Sequence, residues 1–88
     1  MSNILQYEMT ERTMTLADLG RGETAKIIDI RAEGITRQRL LNFGFRRGEV
    51  VKVVRLAPLA DPIELTIGGG HISLRRSEAS LISVEKQT

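Results

Sequence analysis

Glycine and proline interrupt this chain so often that it can form only short elements. From Gly20 to Gly70, one of these two residues recurs at intervals of no more than 12 residues. Glycine permits the positive φ of tight turns, and proline cannot donate a hydrogen bond within a strand ladder. The stretches between them are rich in valine, isoleucine and leucine, which favours strands. The sequence therefore predicts short strands joined by tight turns, with room for one short helix.

Alternating apolar and polar residues predict five strands. They cover residues 25–30, 49–57, 63–67, 71–76 and 81–85. In the first strand we expect Ile28 and Ile30 on one face and Ile27 on the other, because side chains alternate along a strand. The three glycines at 68–70 predict a hairpin between the third and fourth strands.

One short helix is predicted over residues 35–43. Gly44 stands where a residue in the left-handed conformation would end it, and Phe45 can pack back on the helix, as in a Schellman motif. The apolar residues expected to turn inward are Ile35, Leu40 and Leu41. Single helical turns are predicted after Thr15 and after Ser77, each of which can cap one.

Together these elements predict an all-β-dominated fold with a small α insertion. Five short strands, one inserted helix and one or two helical turns are typical of a small closed β-barrel. Residues 14–88 would form this domain, and residues 1–13, which show no clear periodicity, are predicted to be a loose leader.

The residue types that the chain lacks exclude most kinds of catalytic and metal-binding site. The 88-residue chain has no cysteine and one histidine, which excludes disulfides, thiolate metal sites and thiol catalysis. We interpret His71 as a solvent-facing residue, because one histidine cannot supply the several ligands of a transition-metal site. The serines have no obvious general base other than His71 and no residue to orient it, so we expect none of them to act as a nucleophile. We therefore expect no catalytic residue, no metal ligand and no cofactor-binding residue.

Arginine is the one polar residue type in marked excess. Ten arginines accompany three lysines, and the only aromatic residues are Tyr7, Phe43 and Phe45. Arginine recognises phosphates and also anchors protein interfaces, whereas proteins that hold single-stranded nucleic acid usually stack bases on several aromatic rings. An RNA-binding face and a protein-binding face both remain open at this point. The candidates for either are Arg37, Arg39, Arg46, Arg47, Arg55, Arg75 and Arg76.

Several blocks of the sequence, in this order and spacing, resemble the ferrous iron transport protein A (FeoA) family. They are residues 16–19 with Gly22, then 39–50, 57–63 and 71–79. The resemblance covers about residues 14–86. Three features depart from the family pattern: the leader at residues 1–13, Ala60 where the family often has glycine, and the triple glycine at 68–70.

The resemblance implies an SH3-like β-barrel with a helical insertion. It also implies a cytoplasmic, non-enzymatic accessory protein of bacterial ferrous iron uptake. The implied partner is FeoB, the membrane transporter with a cytosolic GTP-binding domain. Ferrous iron would be the cargo of that system, with no cofactor belonging to the chain itself and no insertion into the membrane.

We expect the partner to bind the helix, the turn after it and the proline-bounded loop. Exposed arginine beside apolar residues is a common composition for an interface anchor. The predicted contact residues are Arg37, Leu41, Phe45, Arg46, Pro58, Leu59, Asp61 and Pro62. The alternative function is RNA binding by a small barrel through its arginine-rich face, which the low aromatic content disfavours.

Overall fold

The computed structural model describes residues 14–87, so the predicted leader lies outside the described residues. Five antiparallel strands form one sheet in the order β4-β3-β2-β1-β5. The strands are β1 (Thr24–Ile30), β2 (Val50–Leu56), β3 (Ile63–Ile67), β4 (Gly70–Leu74) and β5 (Ile82–Lys86). Each predicted strand is present, with ends shifted by at most two residues.

Two short α-helices and two 3₁₀ turns connect the strands. The helices are α1 (Gly34–Asn42) and α2 (Arg76–Ala79), and the 3₁₀ turns are Leu16–Asp18 and Pro58–Ala60. The prediction that Ser77 caps α2 is wrong. The residue that precedes the helix is Arg75, whose amide donates to Glu78 Oε1 at 3.0 Å, so the helix begins two residues earlier than a Ser77 cap requires.

The all-β-dominated, barrel-like fold with a small α insertion is confirmed, although its sheet is not closed by hydrogen bonds in the part of the chain that the structure describes. There, β4 pairs only with β3, and β5 pairs with β1. The outer side of β5 is covered by the start of the domain, where Thr15 bridges Ser83 and the Val84 amide donates to the Met14 carbonyl at 2.9 Å. No strand pairing therefore joins β4 to β5 within residues 14–87.

The core lies on the concave side of this sheet. Strand β3 shows the reason most clearly, because its apolar residues Ile63, Leu65 and Ile67 are buried while Glu64 and Thr66 are only partly buried. The largest fully buried side chains are Phe45, Leu16, Ile27, Leu40, Ile63, Leu65, Leu74 and Ile82. Burial of such side chains contributes about 1.5–3 kcal/mol each to stability.

The predicted faces of β1 are wrong because the strand contains a β-bulge. The register of β1 against β5 shifts between Ile27 and Asp29. The extra residue turns Ile28 outward, where it is 42% exposed, while Ile27 and Ile30 are both buried. A bulge inserts one residue and so interrupts the two-residue alternation on which the prediction depended.

The end of α1 is the Schellman motif that the sequence predicts. Gly44 has φ +101°, its amide donates to the Leu41 carbonyl at 3.0 Å, and the Phe45 amide donates to the Leu40 carbonyl at 3.1 Å. Leu40 is fully buried, but Ile35 is 86% exposed, so its predicted inward orientation is wrong. The helix lies on the surface and directs only Leu40 fully into the core.

Candidate partner-docking site

Four of the eight predicted contact residues line two open grooves. The first groove, here called the hairpin groove, lies between the end of α1 and the β3–β4 hairpin and has a volume of about 230 Å³. The second, here called the loop groove, lies beside residues 58–62 and has a volume of about 310 Å³. Leu41 and Arg46 line the hairpin groove, and Asp61 and Pro62 line the loop groove. The structure thus divides the predicted site into two parts.

The hairpin groove combines apolar surface with an available cation. Leu41 is half-buried against the core, and Phe43 is 40% exposed beside it. The Arg39 guanidinium lies 5.5 Å from the centre of the Phe43 ring and forms a cation–π contact with it. Arg46 is exposed and forms no ion pair within residues 14–87. A partner side chain can therefore meet a carbon surface and a guanidinium together.

The inclusion of Phe45 among the contact residues is wrong. Its side chain has no exposed area and belongs to the core. The residue that follows a left-handed glycine in a Schellman motif packs back on the helix, and this packing removes Phe45 from the surface. Its role is to hold the turn that carries Arg46.

Arg37 lines neither groove. Its Nη1 donates to the Ile30 carbonyl oxygen at 2.8 Å, which links α1 to the end of β1. The side chain is exposed apart from this bond. Arg37 therefore positions the helix, and its availability to a partner is smaller than that of Arg46.

The loop at residues 58–62 presents Leu59 to solvent. Leu59 is 97% exposed, more than any other large apolar side chain that the structure describes. Its φ is +71°, and Ala60 follows with φ +60°. Pro58 and Pro62 are also exposed. In this part of the predicted site, the apolar side chain of Leu59 is therefore fully available to a partner.

Arg76 holds that loop in place, a role that sequence reasoning missed. Its Nε donates to the Ala60 carbonyl at 3.0 Å, and its Nη1 donates to the Ala17 carbonyl at 2.5 Å. Its backbone amide donates to Asp61 Oδ1 at 2.8 Å. The sequence offered no signal for these contacts, because Arg76 lies far along the chain from Ala17 and 15 residues from Asp61.

Most of the seven candidate arginines have partners within residues 14–87. Arg37 and Arg76 donate to backbone carbonyls. The other paired arginines meet carboxylates: Arg39 with Glu78, Arg47 with Asp29 at 3.6 Å, and Arg55 with Glu64 at 4.0 Å. Of the seven, Arg46 and Arg75 have no such partner, and each lines one of the two grooves.

The loop groove also includes residues that the prediction did not assign to the site. Arg39, Ser73, Arg75 and Glu78 line it together with Asp61 and Pro62. Arg39 and Glu78 form an ion pair across it. This pair leaves Arg75 as the cation of the groove that has no ion-pair partner among the residues that the structure describes.

His71 is exposed, as expected, and its Nε2 lies 3.1 Å from Glu64 Oε1. Within residues 14–87, no three side chains of histidine, cysteine, aspartate or glutamate gather as a candidate metal site. The described helices are all too short and too polar to cross a membrane.

Comparison with known proteins gives one consistent family. A family model for the FeoA domain matches residues 14–86. A protein from Porphyromonas gingivalis, the Fe(2+) transport protein A/Fe(2+) transporter FeoB fusion protein, is 40% identical over 72 residues. Those residues are 82% of this chain but only 8% of the fusion protein.

Solved structures share the fold. The iron(II) transport protein A of Clostridium thermocellum has a TM-score of 0.80 and 41% identity, and the match covers 83% of this chain and 45% of that one. The FeoA of Stenotrophomonas maltophilia, a prokaryotic SH3 domain protein in complex with zinc, has a TM-score of 0.73 and 30% identity. That match covers 82% of this chain and 89% of the Stenotrophomonas chain. The fold described above is therefore SH3-like.

Proposed function

Since the chain belongs to the FeoA family, a family of iron transport, we propose that it is a non-enzymatic accessory protein that docks on a FeoB-type ferrous iron transporter. It acts in the cytoplasm, on the cytosolic GTP-binding part of the transporter. It needs no cofactor of its own, and ferrous iron is the cargo of the transporter. Docking adjusts the assembly or the nucleotide cycle of that transporter.

The observation that carries this proposal is the fusion in Porphyromonas gingivalis. There, a region 40% identical to this chain belongs to the same polypeptide as a FeoB transporter. Joining two modules raises the concentration of each near the other, which strengthens an interaction that already exists. Outside such a fusion, a FeoA domain has to reach the same partner by binding, and a surface for that binding is needed.

The two grooves supply candidate surfaces for the docking. The hairpin groove offers Leu41, Phe43 and Arg46, and the loop beside the second groove offers Leu59. Arginine and large apolar side chains carry most of the energy of protein interfaces, and the remaining contacts exclude water around them. Docking through this mixed surface requires neither a catalytic group nor a bound metal.

Binding of the purified full chain to the full-length FeoB-type transporter of the same organism, held in lipid nanodiscs, tests the proposal. Microscale thermophoresis would measure Kd with and without guanine nucleotide. We expect saturable binding, and we expect Arg46→Ala to weaken it about tenfold, a loss of about 1.4 kcal/mol. Absence of saturable binding by the wild-type chain in every nucleotide state would overturn the proposal.

Arg47→Ala is the matched control for Arg46→Ala. The two residues are neighbours with the same charge, but Arg46 lines the hairpin groove whereas Arg47 pairs with Asp29 outside it. Arg47→Ala should change Kd less than about twofold, because exposed ion pairs contribute little. Equal losses from the two variants would indicate general charge attraction and would contradict docking through the hairpin groove.

A further inference from the structure

The backbone at Leu59 is strained without any benefit to the core. Two successive residues with a Cβ atom, Leu59 and Ala60, adopt the left-handed conformation with φ of +71° and +60°. This conformation brings Cβ close to the following carbonyl oxygen and is routine only for glycine. Leu59 is also 97% exposed, so its side chain gains almost nothing from burial. Strain that persists in this way points to function more often than to stability.

The loop is nevertheless held firmly. Arg76 contacts it at two points, through its guanidinium to the Ala60 carbonyl and through its backbone amide to the Asp61 carboxylate. The same guanidinium donates to the Ala17 carbonyl and so ties the loop to the first 3₁₀ turn. The Ala60 amide donates to the Ala57 carbonyl at 2.7 Å and closes the turn itself. Leu59 is therefore presented on a rigid, preformed support.

A cation without an ion-pair partner lines the groove beside this loop. Arg75 lines the loop groove with Asp61 and Pro62, and its guanidinium has no ion-pair partner within residues 14–87. The other arginine in the groove, Arg39, is paired with Glu78. A partner that covers the loop would bring its own groups next to Arg75, where a carboxylate would form a charge-assisted hydrogen bond.

We propose that Leu59 is a preformed anchor that enters an apolar pocket of a partner protein, while Arg75 pairs with a carboxylate at the rim of that pocket. Arg76 is the positioning residue that holds the anchor. The inference rests on the proposed function, which makes the FeoB-type transporter the partner, and it adds the residue and the chemistry of the contact. A rigid anchor lowers the entropy that binding costs, because the loop is already ordered before the partner arrives.

Two glycine substitutions separate the anchor from its strained backbone. Leu59→Gly removes the side chain, Ala60→Gly leaves it, and both remove a Cβ from a left-handed position. We expect both variants to have a Tm equal to or above that of the wild-type chain. In the nanodisc binding experiment, Leu59→Gly should raise Kd at least tenfold, whereas Ala60→Gly should change it less than about threefold.

The outcomes of this comparison are distinguishable. If the wild-type chain does not bind, the proposed function fails. If the wild-type chain binds and Leu59→Gly binds equally well, the transporter is the partner but Leu59 is not the anchor. If both glycine variants lose binding equally, the rigidity of the loop matters and the leucine side chain does not, which also overturns the inference.

Arg75 and Arg76 require separate variants. Arg75→Glu should weaken binding more than Arg75→Gln, since it places a carboxylate against a carboxylate; equal effects would contradict the rim contact. Arg76→Lys keeps the charge and loses the guanidinium contacts to Ala60 and Ala17. It should weaken binding in the wild-type background but have little effect in the Leu59→Gly background, because Arg76 acts through Leu59. Equal effects in both backgrounds would contradict its positioning role.

Discussion

The amide of Phe45 donates to the carbonyl oxygen of Leu40 at 3.1 Å, and the side chains of both residues are fully buried. Gly44 lies between them with φ +101° and allows the chain to reverse within one residue. This contact ends α1 and directs the next residue, Arg46, into the hairpin groove. The helix end thus links the packing of the core to the surface proposed for docking.

Gly44→Ala should lower the free energy of unfolding by about 1–2 kcal/mol, because alanine is strained at a positive φ. A Cβ atom at this position would meet no atom within 4 Å, so the loss would come from the backbone conformation and not from a clash. Urea unfolding at 25 °C measures this loss in the free energy of unfolding. Gly20→Ala is the control: Gly20 has no positive φ, and its Cβ would meet only ordinary contacts. The control should change stability by less than about 0.5 kcal/mol, and equal losses would contradict the strain argument.

Phe45→Leu should reduce stability and leave docking intact. The substitution keeps an apolar side chain in the core and should cost about 1–2 kcal/mol in urea unfolding. Measured well below its unfolding midpoint, the variant should bind the transporter with a Kd within about twofold of wild type, since Phe45 has no exposed area to offer a partner. A large loss of affinity in a folded Phe45→Leu variant would restore Phe45 to the contact surface.

The sequence could predict those structural elements that depend on residues close together in the chain. Strand β3 has the predicted bounds. Its apolar and polar residues alternate strictly, and only one face of the strand packs on the core. The Schellman motif was also predictable, since Gly44 and Phe45 carry the required residue types at consecutive positions. The division of the candidate site into two grooves was not predictable, because each groove combines residues from elements far apart in the chain.

The conformation of Leu59 and the bracing by Arg76 also could not be predicted. Neither leucine nor alanine favours a positive φ, so the residue types at 59 and 60 do not themselves signal the strained turn. The one hint was the glycine that the family often has at position 60. Arg76 reaches a carbonyl 59 residues away in the sequence, and only the tertiary structure brings the two groups together. In the same way, composition identified the arginines as a group but could not separate the paired ones from Arg46 and Arg75.

The bulge in β1 gives two adjacent isoleucines different degrees of burial, and this difference can be tested. Ile27 is 1% exposed and Ile28 is 42% exposed. Ile27→Ala should cost about 2–5 kcal/mol by creating a cavity, whereas Ile28→Thr should change stability by less than about 0.5 kcal/mol, as most surface substitutions do. Urea unfolding of the two variants checks the prediction. The reverse order would place Ile28 in the core and remove the bulge.

Glu23 should make stability depend on pH in the acid range. The Gly20 amide, which donates to Glu23 Oε1 at 2.7 Å, lowers the pKa of this carboxyl, and the Lys86 ammonium at 2.7 Å from Oε2 lowers it further. A carboxyl whose pKa is lower in the folded state stabilises the fold above its unfolded pKa, about 4.3 for glutamate. That contribution is lost as pH falls through the folded value.

Thermal unfolding between pH 2.5 and 7 compares the wild-type chain with Glu23→Gln. The Tm difference between them should be constant above about pH 5 and should shrink below about pH 4.3, where Glu23 of the unfolded chain becomes protonated, until pH has fallen through the lower pKa of the folded state. Lys86→Gln should remove only part of this dependence, because the hydrogen bond from Gly20 remains. A Tm difference that stays the same across the whole range would show that the ionised carboxylate does not contribute.

Salt dependence separates transporter docking from the alternative of RNA binding. Each phosphate contact to single-stranded RNA releases counterions, with a slope of log K against log salt of about −0.7 per contact. Three such contacts would weaken RNA binding about 20-fold between about 50 and 200 mM salt. Docking that combines Leu59 with one or two ion pairs should weaken less than about threefold, because burial of the leucine side chain is insensitive to salt at these concentrations.

We therefore expect a shallow salt dependence for the transporter in nanodiscs and no saturable binding to a single-stranded RNA oligonucleotide of mixed sequence. The pairing of Arg39, Arg47 and Arg55 with carboxylates supports this expectation, since each pair reduces the charge available to phosphates. Fluorescence anisotropy with labelled RNA and thermophoresis with the transporter, at matched salt, make the comparison direct. Tight RNA binding with the steep slope, together with no binding to the transporter, would favour the RNA-binding alternative and leave Leu59 without a partner.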